Sequence, residues 1–354
     1  MSLPRVSIII RSMGRPELEE ALASVARQHY DNIEVVLVAA SGNAHPKPPP
    51  SAGRFPVVYV PGETRRPRPV AANAGLDHAS GAYLGFLDDD DTLTPEHVSG
   101  LVNSLQASPQ HKVAFVAAVE VRPGGVVWRV GNVRISRLAL LEQCFFPPCA
   151  ALFRRELLAQ CRFDESLDAA EDWDFWIQTA RHTEFLFVPQ ESAVYRADRG
   201  RSVMSGQDGG VSAEAQRWND AVRRKWANER LEVARAVEAR FAQALGHLER
   251  SEHALAETAV DDTLRAYPYH VGALRLRGAW RAQRGDYAAA ADDFDLATQC
   301  RPNDPELWFQ LADAWSRQGA RVKAEAFYRR VLTLTPCTSA RIRALPSLLP
   351  VLKP

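Results

Sequence analysis

From Val6 to about Val194, short β-branched runs alternate with amphipathic stretches: Val6 to Ile10, Glu17 to Gln28, Ile33 to Ala39, and later Val57 to Val60. Such alternation predicts a mostly parallel sheet with helices on both faces. Ser7 to Ile10 and Val35 to Val38 read as apolar on both pleat faces, the mark of central strands covered from each side. The proline-rich stretch His45 to Pro50 lacks the amides for regular structure and reads as an exposed loop. Ala71 to Leu76 reads as a helix and Ala82 to Leu87 as a strand, which four aspartates, Asp88 to Asp91, then end. Thr94-Pro95-Glu96 has the chemistry of a helix start, with threonine as N-cap, proline at the first position and an acid in the first turn.

Beyond Arg196 the strand signal fades, and Val211 to Leu248 reads as long helices rich in alanine, arginine and glutamate. Pro268, Pro302 and Pro336 then recur at one spacing, and the segments between them align without a gap. A period of that length predicts stacked helical hairpins. One unit carries Trp308, Leu311, Ala312, Trp315, Gly319, Ala324, Tyr328 and Pro336. The unit before it keeps Leu274, Gly278, Gly285, Tyr287, Ala290, Phe294, Ala297 and Pro302, but has Arg277 and Arg281 at usually apolar places. The pattern resembles the tetratricopeptide repeat, whose aromatics fill the core between paired helices.

Composition adjusts this picture only slightly. A chain of 354 residues suits two domains. Lysine plus arginine balances aspartate plus glutamate at 43 each, so the total charge points to neither nucleic acid nor an anionic membrane. The cysteines, Cys144, Cys149, Cys161, Cys300 and Cys337, form no C-x-x-C pair, which fits reduced thiols in a cytoplasmic protein and argues against zinc. No apolar run is long enough to cross a bilayer, and the N-terminus runs straight into a strand without a leader pattern. The expectation is a cytoplasmic protein, with peripheral attachment at the inner face of the membrane as the variant.

The chemistry concentrates in two acidic motifs. Adjacent carboxylates such as Asp88 to Asp91 repel one another and stay ionised together most easily when a cation offsets them. They sit at a strand's carboxyl end, where open α/β sheets bind ligands. A solvated acidic turn is the competing reading. The second motif is Glu171-Asp172-Trp173-Asp174-Phe175-Trp176, preceded by Phe163-Asp164-Glu165-Ser166-Leu167. Acids at a helix start complement its dipole, but interleaved tryptophans also suggest a desolvated carboxylate serving as general base, with a ring platform for a sugar.

Taken together, Pro4 to Ile10, Leu22 to Tyr30 with Ile33 to Val36, Ala82 to Asp91, and Glu171 to Trp176 with Tyr195-Arg196 resemble the family 2 glycosyltransferases, inverting enzymes of the GT-A fold. The resemblance implies a nucleotide diphosphate-sugar donor over the sheet and Mn²⁺ or Mg²⁺ near its diphosphate. Asp88 and Asp90 match the D-x-D positions and would hold the metal, Asp88 also facing the donor. Asp172 matches the catalytic base, with neighbouring Glu171 and Asp174 as competing candidates. Arg66, Arg68 and Asn73 fall in the region that meets nucleotide. Asp198 stands where many members carry a further metal ligand, a histidine, and Ala39 to Gly42 where many carry an acid toward the nucleobase. Arg154 and Arg155 lie before the second motif, where relatives form the acceptor-facing wall.

The expected division is a GT-A domain over 1–205, a helical linker over 206–250, and a tetratricopeptide-like domain over 251–354 with a degenerate first repeat from about 237. The acceptor would be a glycan, a lipid-linked sugar or a protein, and the repeats would offer a surface for a protein partner. A catalytically decayed scaffold and a related nucleotidyltransferase are the rival readings.

Overall fold

The computed structural model of the chain describes residues 3–122, 125, 127–130, 135–197 and 212–334. It divides into two compact units, Met1–Arg230 and Leu231–Pro354. Strands of the first unit are β1 (Val6–Ser12), β2 (Ile33–Ala39), β3 (Ser51–Ala52), β4 (Phe55–Val60), β5 (Tyr83–Asp88), β6 (Thr92–Leu93), β7 (Val113–Val121), β8 (Val127–Val130), β9 (Ala151–Arg154) and β10 (Phe185–Arg196). Its helices are α1 (Leu18–Ala26), α2 (Arg68–His78), α3 (His97–Ala107), α4 (Arg137–Glu142), α5 (Glu171–Thr179) and α6 (Ala213–Lys225), after which α7 (Ala227–Glu249) runs across the boundary between the units.

The strands form one sheet in the order β3-β4-β2-β1-β5-β9-β7-β10-β6, with β8 beside β7. Every residue of β1 and β2 is buried, as their unbroken apolar pattern requires of central strands. The helix α2 comes so close to β1 that a Cβ on Gly75 would lie 2.3 Å from the Ile9 side chain, so only glycine fits there. The predicted mostly parallel sheet is instead mixed. Pairs β1–β2, β1–β5, β2–β4 and β7–β10 are parallel, whereas β9 runs antiparallel between β5 and β7. With only four residues, three of them fully buried, β9 shows no alternation that would betray it in the sequence.

The expected cap at Thr94 also fails. The helix α3 starts at His97, two residues after the expected first position, because the Thr94 N–H donates to the Ser192 carbonyl at 2.9 Å and the Thr94 carbonyl accepts from Gln28 Nε2 at 2.7 Å. Pairing of β6 with β10 takes priority over local helix chemistry.

The expected helical linker over 206–250 does not form a separate segment among the described residues. Its first part belongs to the first unit: Trp226 Nε1 donates to Asp174 at 2.7 Å, Lys225 Nζ reaches Asp164 at 2.6 Å and Asp174 at 2.8 Å, and Arg137 pairs with Glu229 at 2.6 Å. A Trp226→Phe change removes one partner from fully buried Asp174 and should lower stability by about 1–3 kcal/mol. Urea unfolding of the full chain measures this; an unchanged midpoint would mean that Lys225 and Gln178 satisfy the carboxylate unaided.

In the second unit α7 is followed by α8 (His253–Ala266), α9 (Val271–Gln283), α10 (Tyr287–Cys300), α11 (Pro305–Arg317) and α12 (Arg321–Leu334). Residues Phe241 and Ala244 of α7 pack with Val260, Leu264, Ala273 and Leu274, so the later part of α7 is the first helix of this array. Pattern residues of the repeats are core: Ala312, Ala324 and Tyr328 are buried together, with Trp308 and Trp315 against them. Arg277 and Arg281, at usually apolar places, both pair with Asp293 at 2.8 Å, so a buried carboxylate replaces an apolar contact between α9 and α10. Pro336, Cys337 and the expected terminal cap lie outside the described residues.

Among the described residues no helix is long and apolar enough to cross a membrane. Cys144, Cys149, Cys161 and Cys300 are free thiols.

Candidate active site

The parallel strands β1 and β5 end side by side, and their carboxyl ends deliver the first half of the site. A pocket of about 480 Å³ opens there. Its lining includes Arg11, Arg15, Arg65, Arg66 and Arg68 together with Asp88, Asp89 and Asp90.

The four aspartates are not equivalent. Asp88 is gripped by Arg11, Nε to Oδ1 at 2.9 Å and Nη2 to Oδ2 at 3.0 Å. Burial alone would raise its pKa, but Arg11 and then Arg68 hold the carboxyl below its usual range. Asp90 keeps one ion pair, to Arg15 at 2.6 Å, and its pKa is raised, by burial and by the charge on Asp88. Asp89 is turned inward and accepts from Ser12 Oγ at 3.0 Å, the Met13 N–H at 2.7 Å and Arg15 at 3.2 Å. Asp91 is buried under the Arg196 N–H at 2.9 Å, and burial followed by repulsion from Asp88 lifts its pKa well above the ordinary carboxylate range. Thus Asp88 and Asp90 are the more open of the four, while Asp89, though it lines the pocket, and Asp91 are buried and fix the loop.

The second acidic motif opens α5, and Ala170 just before it adopts a left-handed backbone at φ 58°. The helix separates the three acids. Asp174, 0% exposed, points away from the pocket to Trp226, Lys225 and Gln178. Glu171 is also buried, and accepts from Arg11 Nη1 at 2.6 Å. Asp172 stays partly open, its Oδ1 accepting from the next N–H, of Trp173, at 2.8 Å. Burial, and then the neighbouring charge of Glu171, pushes the Asp172 carboxyl up to about 7, against the pull of Arg11 and Arg68. Arg68 lines the pocket and feels Asp88, Glu171 and Asp172 together, which ties the helix to the same electrostatic centre.

Several residues singled out from the sequence serve elsewhere. The expected ring platform does not exist: Trp173 is 2% and Trp176 1% exposed, the first donating to the Leu140 carbonyl at 2.6 Å, the second packed among Phe146, Phe153 and Phe185. Asn73 does not face the pocket. Its amide donates to the Phe163 carbonyl and to Glu165 at 3.0 Å and accepts from the Phe163 N–H at 3.1 Å, pinning the segment that leads to α5. Arg66 faces the pocket while donating to the Pro61 carbonyl at 2.8 Å. Arg154 and Arg155 are spent on backbone carbonyls at the ends of neighbouring elements, including Leu105 at 2.7 Å and Gly81 at 2.6 Å. Asp198 lies outside the described residues. In the stretch that lacks the usual acid, Ala40 lines the pocket and Gly42, at φ +71°, leaves room for Thr64, whose backbone a Cβ would meet at 2.6 Å. Sequence reasoning missed Arg11, Arg15 and Arg65. The first two sit on or just past a central strand's carboxyl end, and the rule that placed the aspartates there would have found them too.

A divalent cation fits the donor set that remains. Among the described residues no three side chains of the ligating types converge on one point. Asp88 and Asp90 nevertheless are hard oxygen donors that line the pocket. Two carboxylates completed by substrate phosphates are a common magnesium arrangement.

Residues 7–162 match the family model described as glycosyl transferase family 2. An uncharacterised glycosyltransferase of Bacillus subtilis (strain 168), YwdF, is 26% identical over 198 residues, 54% of this chain and 74% of its own. The GalNAc(5)-diNAcBac-PP-undecaprenol beta-1,3-glucosyltransferase of Campylobacter jejuni is 24% identical over 222 residues, 58% of this chain and 68% of its own. The crystal structure of S. aureus TarS 1-349 in complex with UDP-GlcNAc aligns at 17% identity and a TM-score of 0.48, over 92% of this chain and 90% of that one. Residues 7–162 therefore carry the glycosyl transferase family 2 pattern, and the chain is similar over that region to named glycosyltransferases.

Proposed function

We propose that this glycosyltransferase moves a sugar from a nucleotide diphosphate-sugar to an acceptor hydroxyl with inversion, Asp172 acting as the base. The observation that carries this reading is that Arg68, which lines a pocket shared by arginines and aspartates, interacts at once with Asp88 and with Asp172, a carboxylate raised to about 7. Guanidinium groups suit a diphosphate, so Arg65, Arg66 and Arg68 bind and orient the donor. Mn²⁺ or Mg²⁺ held by Asp88 and Asp90 would offset the charge that grows on the leaving diphosphate. Asp172 takes the proton of the acceptor hydroxyl as its oxygen attacks the anomeric carbon, and a pKa near operating pH suits that transfer. The acceptor class we favour is a lipid-linked glycan, because the Campylobacter relative is named for glucosyl transfer to GalNAc(5)-diNAcBac-PP-undecaprenol. The helical array, of tetratricopeptide type by its period, would bind a protein or extended acceptor, since its pattern residues are consumed by packing.

A panel of UDP-, GDP- and dTDP-sugars with Mn²⁺ tests this. A true donor at one hundred times its Kd should stabilise the fold by about 2.7 kcal/mol, and its slow hydrolysis should release nucleoside diphosphate. Release of pyrophosphate from a nucleoside triphosphate would make the protein a nucleotidyltransferase instead, and binding without turnover of any donor or acceptor would favour the decayed scaffold.

A further inference from the structure

Between the donor-side carboxylate Asp88 and the helix that bears Asp172 lies one buried cation, Arg11, only 6% exposed. Its guanidinium is used on two sides. Nε and Nη2 hold both oxygens of Asp88, at 2.9 and 3.0 Å, and Nη1 holds Glu171 Oε1 at 2.6 Å. A planar fork fixes a carboxylate in orientation as well as in distance. Glu171 is the first residue of α5 and Asp172 the second, so whatever anchors Glu171 also anchors the backbone from which Asp172 projects. Asp172 accepts from the Trp173 N–H at 2.8 Å, a bond within the same helix turn that does not fix the helix against β1 or β5.

We propose that Arg11 is a positioning residue: with Glu171 as its lever, it ties Asp88 to the first turn of α5 and so fixes where Asp172 meets the acceptor hydroxyl. The inference rests on the reading of Asp172 as the base. Glu171, by the same geometry, is a positioning residue and not a proton acceptor for substrate. The charged and titratable groups around Asp172 are Glu171 of α5, Arg11 of β1, Arg68 of α2 and Cys144 after α4. Glu171 raises the Asp172 pKa and Arg11 lowers it, so the two members of the pair have opposite signs.

The full chain, free of metal and labelled with ¹³C at the aspartate carboxyls, provides the test, the Asp172 signal being the one lost in Asp172→Asn. Wild type should titrate near 7 at this carboxyl. Glu171→Gln, which keeps an acceptor for Arg11 but drops the charge, should move the titration down by about one pH unit or more, the scale of a neighbouring charge. Arg11→Met should move it up, and the double variant Arg11→Met/Glu171→Gln should bring it back toward wild type. Should Arg11→Met fail to fold, Glu171→Gln and the double variant still decide. Arg11→Lys keeps the charge and loses the fork. On the nucleotide-sugar hydrolysed best in the panel above it should lower kcat with little change in KM. Wild-type titration in Glu171→Gln, a double variant that titrates with Glu171→Gln instead of above it, or wild-type kcat in Arg11→Lys overturns the proposal. If Asp172→Asn retains turnover while these titration shifts appear, the base assignment fails and the linkage from Arg11 to Asp172 stands.

Discussion

Replacing Asp172 by asparagine should cut turnover by about 10²–10⁴, the usual cost of losing a positioned base, while leaving donor affinity nearly unchanged. The amide keeps the size of the side chain and its acceptor for the Trp173 N–H, but it cannot take a proton from the acceptor hydroxyl. In wild type the rate should rise with pH through the Asp172 titration near 7, because only the ionised form is a base. Stability should move the other way. A carboxyl raised from 3.8 to about 7 holds its proton in the folded state where the unfolded chain has already lost it. Between those values stability therefore falls as pH rises. Asp172→Asn lacks this dependence, so its advantage in urea unfolding should be absent below 3.8, open through the window and be complete above 7. The assignment is wrong if turnover survives in Asp172→Asn and vanishes in Glu171→Gln or Asp174→Asn.

The second large effect is expected at the pocket aspartates. Asp88→Ala and Asp90→Ala should each lower turnover by about 10²–10³, the scale for losing one contact to a developing anion. Chelation should silence the wild type and Mn²⁺ or Mg²⁺ restore it. Full activity of Asp90→Ala in chelator would remove the metal from the mechanism. Asp89→Ala should behave differently, because its carboxylate ties Ser12, Met13 and Arg15 to the loop. That variant should lose about 1–3 kcal/mol of stability, seen as a lower unfolding midpoint before any donor is added.

Much of this architecture can be read from residue order alone, for reasons that differ by element. The strands β1 and β2 announce themselves because burial on both faces demands uninterrupted apolar runs. The helical array does so because each hairpin repeats one packing solution, leaving Ala312, Ala324 and Tyr328 at repeated places. The mixed sheet is hidden because β9 is too short to show a period. Within the site, the sequence shows which residues are acidic but not which way they turn. Asp88 to Asp91 look alike until the loop sends Asp89 and Asp91 inward, and Glu171, Asp172 and Asp174 look alike until the helical turn parts them. The tryptophans mislead for the same reason: an aromatic beside a carboxylate can be a ligand platform or core, and only burial decides. Arg11 stands at a strand's carboxyl end where a ligand-facing residue is expected, but the sequence does not show that its guanidinium is buried between Asp88 and Glu171.

The clasp that Lys225 and Trp226 make on Asp174 sets where the transferase can be cut from its chain and carried to another. A coding fragment stopped at residue 205, where the strand signal has faded, would leave that carboxylate sealed in the protein with Gln178 but without its cation or its indole donor. A portable catalytic module therefore has to extend to Arg230, so that a fusion keeps the clasp as part of the transferase.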